Sequence, residues 1–168
     1  MKSLLILLFY LCSTAIHAFA QYEQALLKQL SDTGDDSVRF YIYRGLGYIY
    51  EFDDSAKSNE YYREEQKIAE SLSSPLLKSM VLVDLGSVLY NAGDFEAALF
   101  HFKESLKWAT LTKECKRMNV ALQNIANSYF SAYLLDSAAY YGIQSIESST
   151  LCKDTATLIL TCANLNIY

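Results

Sequence analysis

LVDLGSVLYNAGDFEAALFHFKESL, residues 82–106, decides the fold. Leu82, Leu85 and Leu89 recur at helical spacing, and Phe95, Ala98, Leu99, Phe102 and Leu106 do so again. Such i, i+3, i+4, i+7 spacings gather apolar groups on one helix face. Asn91-Ala92-Gly93-Asp94 separates the two sets. Gly93 suits the left-handed conformation that ends a helix, and Asp94 suits the cap of the next one. The stretch therefore predicts a helix, a tight turn and a second helix. Gly86 falls where the paired helix must come close, since any side chain there would hold the two axes apart.

The pattern returns along the chain. One copy has Tyr43, Leu46-Gly47 and Tyr50, followed by Ser58 and Tyr62; another has Leu122, Ile125-Ala126 and Tyr129, followed by Ala138 and Gly142. An incomplete copy has Cys162 and Leu165-Asn166. The small-residue positions 47, 86, 126 and 166 are spaced by 39, 40 and 40. The first copy fits only with one residue deleted near Phe52-Asp53-Asp54.

This hairpin resembles the tetratricopeptide repeat, W-x₂-L-G-x₂-Y…A-x₃-F, with Leu82 and Leu89 standing for its Trp and Tyr. The period exceeds that family's usual length of about 34 residues. The surplus lies after the second helix, in residues 66–74 and 107–112, which resembles the long-helix subclass. Pro75 is the single proline and is expected to start a helix, where proline is tolerated. The expected fold is all-α: a leading helix over 22–31, pairs 37–51 with 55–72, 76–91 with 95–112 and 114–131 with 135–149, and a last helix over 155–168. The repeats are thus about 37–72, 76–112 and 114–149, with 155–168 incomplete. No pair can bury its apolar face alone, so the resemblance implies a right-handed superhelical solenoid of antiparallel helix pairs.

Residues 1–20 read as a secretory signal peptide. Lys2 precedes the apolar run Leu4–Cys12, and Ala18-Phe19-Ala20 is a small-x-small site, so cleavage is expected after Ala20. The unbroken apolar run falls short of the roughly 20 residues a membrane-spanning helix needs. The mature domain is 21–168, outside the cytoplasm in the periplasm or beyond. Without Lys2 it carries 13 basic against 19 acidic residues, a net charge of −6. Scattered acidic charge gives no footprint for nucleic acid, and no later stretch reads as a membrane insertion.

Catalytic chemistry is not expected. His101 is the one histidine after the leader and reads as an ordinary helix-surface residue. Asp32, Asp35 and Asp36 lack calcium-loop spacing and read as a turn capping the helix near Ser37. Glu60, Glu64 and Glu65 with Lys57, Arg63 and Lys67 read as an exposed charged helix face. No metal or cofactor site is indicated. Cys162 occupies an apolar repeat position and reads as a buried thiol. Cys115 and Cys152 lie near the starts of consecutive first helices, and both a disulfide and two free thiols remain open.

In the tetratricopeptide family the first helix of each pair lines a concave groove. The resemblance implies a binding surface of Tyr41, Arg44, Tyr48 and Glu51, then Asp84, Ser87, Tyr90 and Asn91, then Gln123, Asn124, Asn127 and Phe130. Amides suit capture of a peptide backbone and tyrosines give rigid contact area. The expected partner is a protein or peptide. A leader followed by long-helix repeats also resembles the exported sensor regions of bacterial signalling proteins, which implies the front part of a longer chain. The alternative is a standalone secreted assembly or chaperone-like factor that self-associates through its apolar last helix, with Leu158, Ile159, Leu160, Leu165 and Ile167.

Overall fold

The computed structural model describes residues 19–164, and every regular element among them is a helix. They are α1 (19–32), α2 (Asp36–Tyr50), α3 (Ser55–Ser71), α4 (Pro75–Asn91), α5 (Phe95–Thr112), α6 (Cys115–Ser131), α7 (Leu135–Leu151) and α8 (Thr155–Asn164). From α2 to α7 each limit lies within two residues of the expected one. The leader up to residue 18 and the end of the incomplete copy, Leu165-Asn166 and Ile167, lie outside the described residues.

Short polar side chains open most of these helices. Asp35, Asp54, Ser74 and Asp94 accept from backbone amides of the first turns of α2 to α5, and Asp154 does so for α8. Each satisfies an amide that has no partner within the helix. Pro75 stands at the first turn of α4, where no intrahelical amide bond is lost. The stops are as regular as the starts. Ser73, Gly93, Lys113, Tyr133 and Lys153 all have positive φ, between 49° and 83°, and fall every twentieth residue. After the last four, the following amide bonds back to the carbonyl five residues earlier: Asp94 to Leu89, Glu114 to Ala109, Leu134 to Tyr129 and Asp154 to Ser149. This is the left-handed cap that ends a helix and reverses the chain. Two such helix-and-turn units make the repeat of 40 read from the sequence. The α2–α3 turn departs from the rule: Glu51 is right-handed, and the chain turns through Glu51 N–H to Tyr48 and Asp54 N–H to Tyr50. That is where the first copy is one residue short.

Neighbouring helices pack in sequence order, and α4 with α6 and α6 with α8 also touch. The first helices of successive pairs therefore lie side by side. The core is a series of clusters strung along the stack, as expected for a solenoid. Leu26, Ile42 and Leu46 join α1 to α2; Phe40, Ile68, Ala69, Leu77, Met80 and Val81 join α2, α3 and α4; Val83, Ala98, Phe102 and Ile125 join α4, α5 and α6.

Within each pair the closest approach uses one small residue. A methyl added to Gly47 would come 2.2 Å from the Tyr62 ring, and one added to Gly86 would come 2.6 Å from the Phe102 ring; both rings are fully buried or nearly so. The third pair reverses the sizes, with Ala126 on α6 and the buried Gly142 on α7. Gly47→Ala is expected to destabilise the chain despite alanine's better helix propensity of about 1 kcal/mol. Overpacking of a buried ring costs roughly 1–3 kcal/mol or more, and Gly86→Ala should cost less because its clash is milder. Denaturant midpoints of the two variants check this; an unchanged midpoint for Gly47→Ala would overturn it.

Two expectations are corrected here. Cys162 is half-buried rather than buried, because α8 turns Thr157 and Thr161 inward and the Thr161 hydroxyl pairs with Ser145. His101 is half-buried, not a free surface residue: it lies edge-on to Phe100, its Nδ1 has no partner, and burial lowers its pKa.

Candidate functional site

The twelve residues expected to line the groove all lie on α2, α4 and α6 or their last turns. Hydrogen bonds join several of them to one another, or to Ser131 and Asn164, at about one repeat's separation. Arg44 of α2 donates to both oxygens of Asp84 on α4, Nε to Oδ2 at 2.6 Å and Nη2 to Oδ1 at 3.0 Å. Asn91 donates to Glu51 Oε1 at 3.1 Å, and Tyr90 Oη lies 2.8 Å from Ser131 Oγ. Asn164 of α8 donates to Asn127 of α6 at 3.1 Å. Residues about one repeat apart on successive first helices are thus tied into a polar ladder across their shared face.

The two ends of the ladder differ. At the α2–α4 end the charged groups are closed off, although Tyr48 itself is exposed. Asp84 is 1% exposed, Glu51 is buried, and Tyr48 also donates to Asp84 Oδ1 at 2.9 Å while its ring sits 5.1 Å from the Arg44 guanidinium. Glu51 takes a further bond from the buried Tyr62 hydroxyl at 3.3 Å, and burial raises its pKa against that bond. Arg44 is therefore neutralised inside the chain. Burial works against its charge, but the bond and charge of Asp84 outweigh this and hold its pKa above the ordinary value. Tyr41 lies apart from the cluster, exposed, with its ring edge-on to Phe40.

At the α4–α6–α8 end the face is open. Tyr90, Ala126, Asn127, Phe130, Ser131 and Asn164 line a depression of about 360 Å³. Phe130 is 53% exposed, and Asn127 is half-buried. Ser87, Gln123 and Asn124 are half-buried on α4 and α6, and none of the inter-helix bonds described above involves their side chains. Ser131 and Asn164 were not foreseen; both stand about one repeat from a foreseen residue, so the period alone could have found them. A larger hollow of about 560 Å³ has Tyr48, Ile49, Tyr50 and Phe52 in its wall, but Phe19 and Ala20 complete it. Cleavage after Ala20 would remove those two.

One expectation is corrected at this site. Glu65 is expected among the exposed charges of α3, yet it is 0% exposed. Ser58, Tyr62, Glu65 and Ala69 form the inward stripe of α3 at helical spacing. The rest of the run is at the surface, with Lys67 bonded to Glu64 and Lys57 bonded instead to Tyr50 and Glu23. Neither carboxyl oxygen of Glu65 has a hydrogen-bond partner, and Arg44 Nε is 3.9 Å away. Burial, then the charge of Asp84, pushes the Glu65 pKa up to about 9, against the pull of Arg44.

Beyond this face, Cys115 at the start of α6 and Cys152 at the end of α7 are joined in a disulfide, with Cα atoms 5.9 Å apart. It closes the third hairpin into a ring. Asp35 caps α2, as expected of that aspartate-rich turn, and no cluster of potential metal ligands occurs among the described residues.

No protein-family model and no curated protein sequence matches the chain. Among solved structures it is similar to aspartyl phosphate phosphatase F from Bacillus subtilis, with a TM-score of 0.78 at 16% identity. The likeness covers 86% of this chain and 38% of that protein, so the chain spans about two fifths of its neighbour's length. At this identity the likeness is one of fold: a tetratricopeptide-like stack of helical hairpins.

Proposed function

We propose that this chain is a protein- or peptide-binding scaffold working outside the cytoplasm, and that its binding surface is the shared face of α4, α6 and α8. The observation that carries the reading is the open depression where Tyr90, Asn127, Phe130, Ser131 and Asn164 meet. It combines an exposed aromatic ring with amide and hydroxyl groups, which is what an extended polypeptide needs: apolar contact for a side chain, donors and acceptors for the backbone. The surface is uncharged, because the charged members of the face are paired among themselves at the other end. Its ligand segment is accordingly expected to be neutral. Export is supported by the leader sequence and by the disulfide, a bond that persists in oxidising compartments. The sensor part of a longer signalling protein is the context we favour, on sequence resemblance. The catalytic activity in the neighbour's name is that protein's; this chain is read as a binder, not an enzyme.

The second reading, self-association, is favoured by Ile159 and Leu160, both exposed on α8. One experiment separates the two. A displayed library of random peptides is selected on the mature chain, and the winners are measured against Tyr90→Ala and Asn127→Ala. Each substitution is expected to weaken binding at least tenfold, the size of a hot-spot contact. Equal affinity for both variants would sink the groove. A mass that rises with protein concentration, reversed by Leu160→Glu, would favour self-association instead.

A further inference from the structure

Two carboxyl groups and one guanidinium meet in the interior between the first two repeats. Glu65 projects from α3, Asp84 from α4 and Arg44 from α2. Asp84 accepts three bonds, two from Arg44 and one from Tyr48. Glu65 accepts none, and both its oxygens are sealed from solvent. Were both acids ionised, the cluster would hold a net negative charge on a carboxylate with no donor. Leaving a buried charge without a partner is far costlier than neutralising it. Both carboxyls lie against the same Arg44 Nε, Asp84 at 2.6 Å and Glu65 at 3.9 Å, so a protonated Glu65 would have an acceptor at hand in Asp84, and Arg44 would be balanced by one anion.

We infer that Glu65 and Asp84 share a single proton, resident chiefly on Glu65, which acts as a pH-sensitive latch between the first and second repeats. The other charged or titratable groups facing the pair are Tyr48 and Glu51 of the α2 end, Tyr62 of α3, and Arg117 of α6, whose charge reaches Asp84. Burial pushes the pKa of Asp84 up as well, but the Arg44 and Tyr48 bonds favour its anion, so the proton belongs on the acid without donors. The folded chain binds this proton more tightly than the unfolded chain, in which Glu65 titrates near 4.5. The stability it provides is thus complete below that pH, and is lost as pH rises through about 9. Loss of the proton leaves a donorless anion between α2, α3 and α4. This inference concerns the stack itself and does not rest on the binding reading.

Glu65→Gln tests it, since glutamine keeps the shape and stays neutral. Between about pH 5 and 9 one bound proton changes the folding constant by about tenfold per pH unit. The wild-type constant is expected to fall with pH more steeply than that of Glu65→Gln by this factor, the two proteins drawing level in acid. Infrared spectra at pH 7 provide a readout that needs no folding comparison. The wild type should show the carbonyl band of a protonated carboxylic acid, absent from Glu65→Gln. Equal pH slopes, or the absence of that band from the wild type, would overturn the inference.

Discussion

Replacing Arg44 with alanine is expected to cost roughly 3–5 kcal/mol at neutral pH, the usual loss when one partner of a buried ion pair is removed. Arg44 is the cation between Asp84 and Glu65, and its side chain is only 15% exposed. Its removal strips Asp84 of two of its three donors. The loss should shrink as pH falls, because Asp84 can then take up a proton of its own. Chemical denaturation at pH 7 and pH 4 checks both the size and the direction. A surface arginine would give less than 1 kcal/mol, so a loss that small would show that the pair contributes little. Arg44→Lys should restore only part of the stability. An ammonium cannot reproduce the two parallel bonds to Asp84.

Reducing the Cys115–Cys152 disulfide is expected to be of similar size. The bond spans 37 residues of sequence, and closing a loop of that length in the unfolded chain corresponds to about 4 kcal/mol of stabilisation. Cys115→Ser with Cys152→Ser should therefore lower the denaturant midpoint by about that energy. Added reductant should bring the wild type to the level of the double variant while leaving the variant itself unmoved. A reductant effect on the variant, or none on the wild type, would show that the two sulfurs are not joined. The intact mass of the exported chain addresses the leader as well. It should correspond to a start at Gln21 and be two hydrogens lighter than the reduced chain.

The array of hairpins was legible because its signals are local. Leu82, Leu85, Gly86 and Leu89 lie within two turns of one helix, and their packing against Phe102 follows from a single tight turn. The ladder was less legible, for each of its bonds joins residues 35 or more positions apart. Even so, Arg44 and Asp84 differ by 40 residues, within one of the repeat offset, as do Glu51 and Asn91. Complementary side chains at matching repeat positions were the available signal; read singly, they resembled solvent-facing groove residues. At Glu65 the surrounding charge points to the surface while its position points inward. Its neighbours Lys67, exposed, and Glu64, half-buried, do reach the surface, while Tyr62 and Ala69 mark the inward stripe to which Glu65 belongs. The disulfide depended on how neighbouring helices stack, so sequence alone left it open.

The left-handed turns at every twentieth residue make this chain a one-dimensional lattice whose unit cell is a single helix. In such a lattice the missing residue in the α2–α3 turn is a dislocation: everything before it is shifted by one step in phase. Side chains next to a dislocation cannot all find the partners that translation would provide. It is beside this fault that Glu51 is drawn inward and the polar cluster of Arg44, Tyr62, Glu65 and Asp84 is assembled. The fault concentrates polar groups in an otherwise periodic core, and the first repeat is where the lattice is expected to yield first.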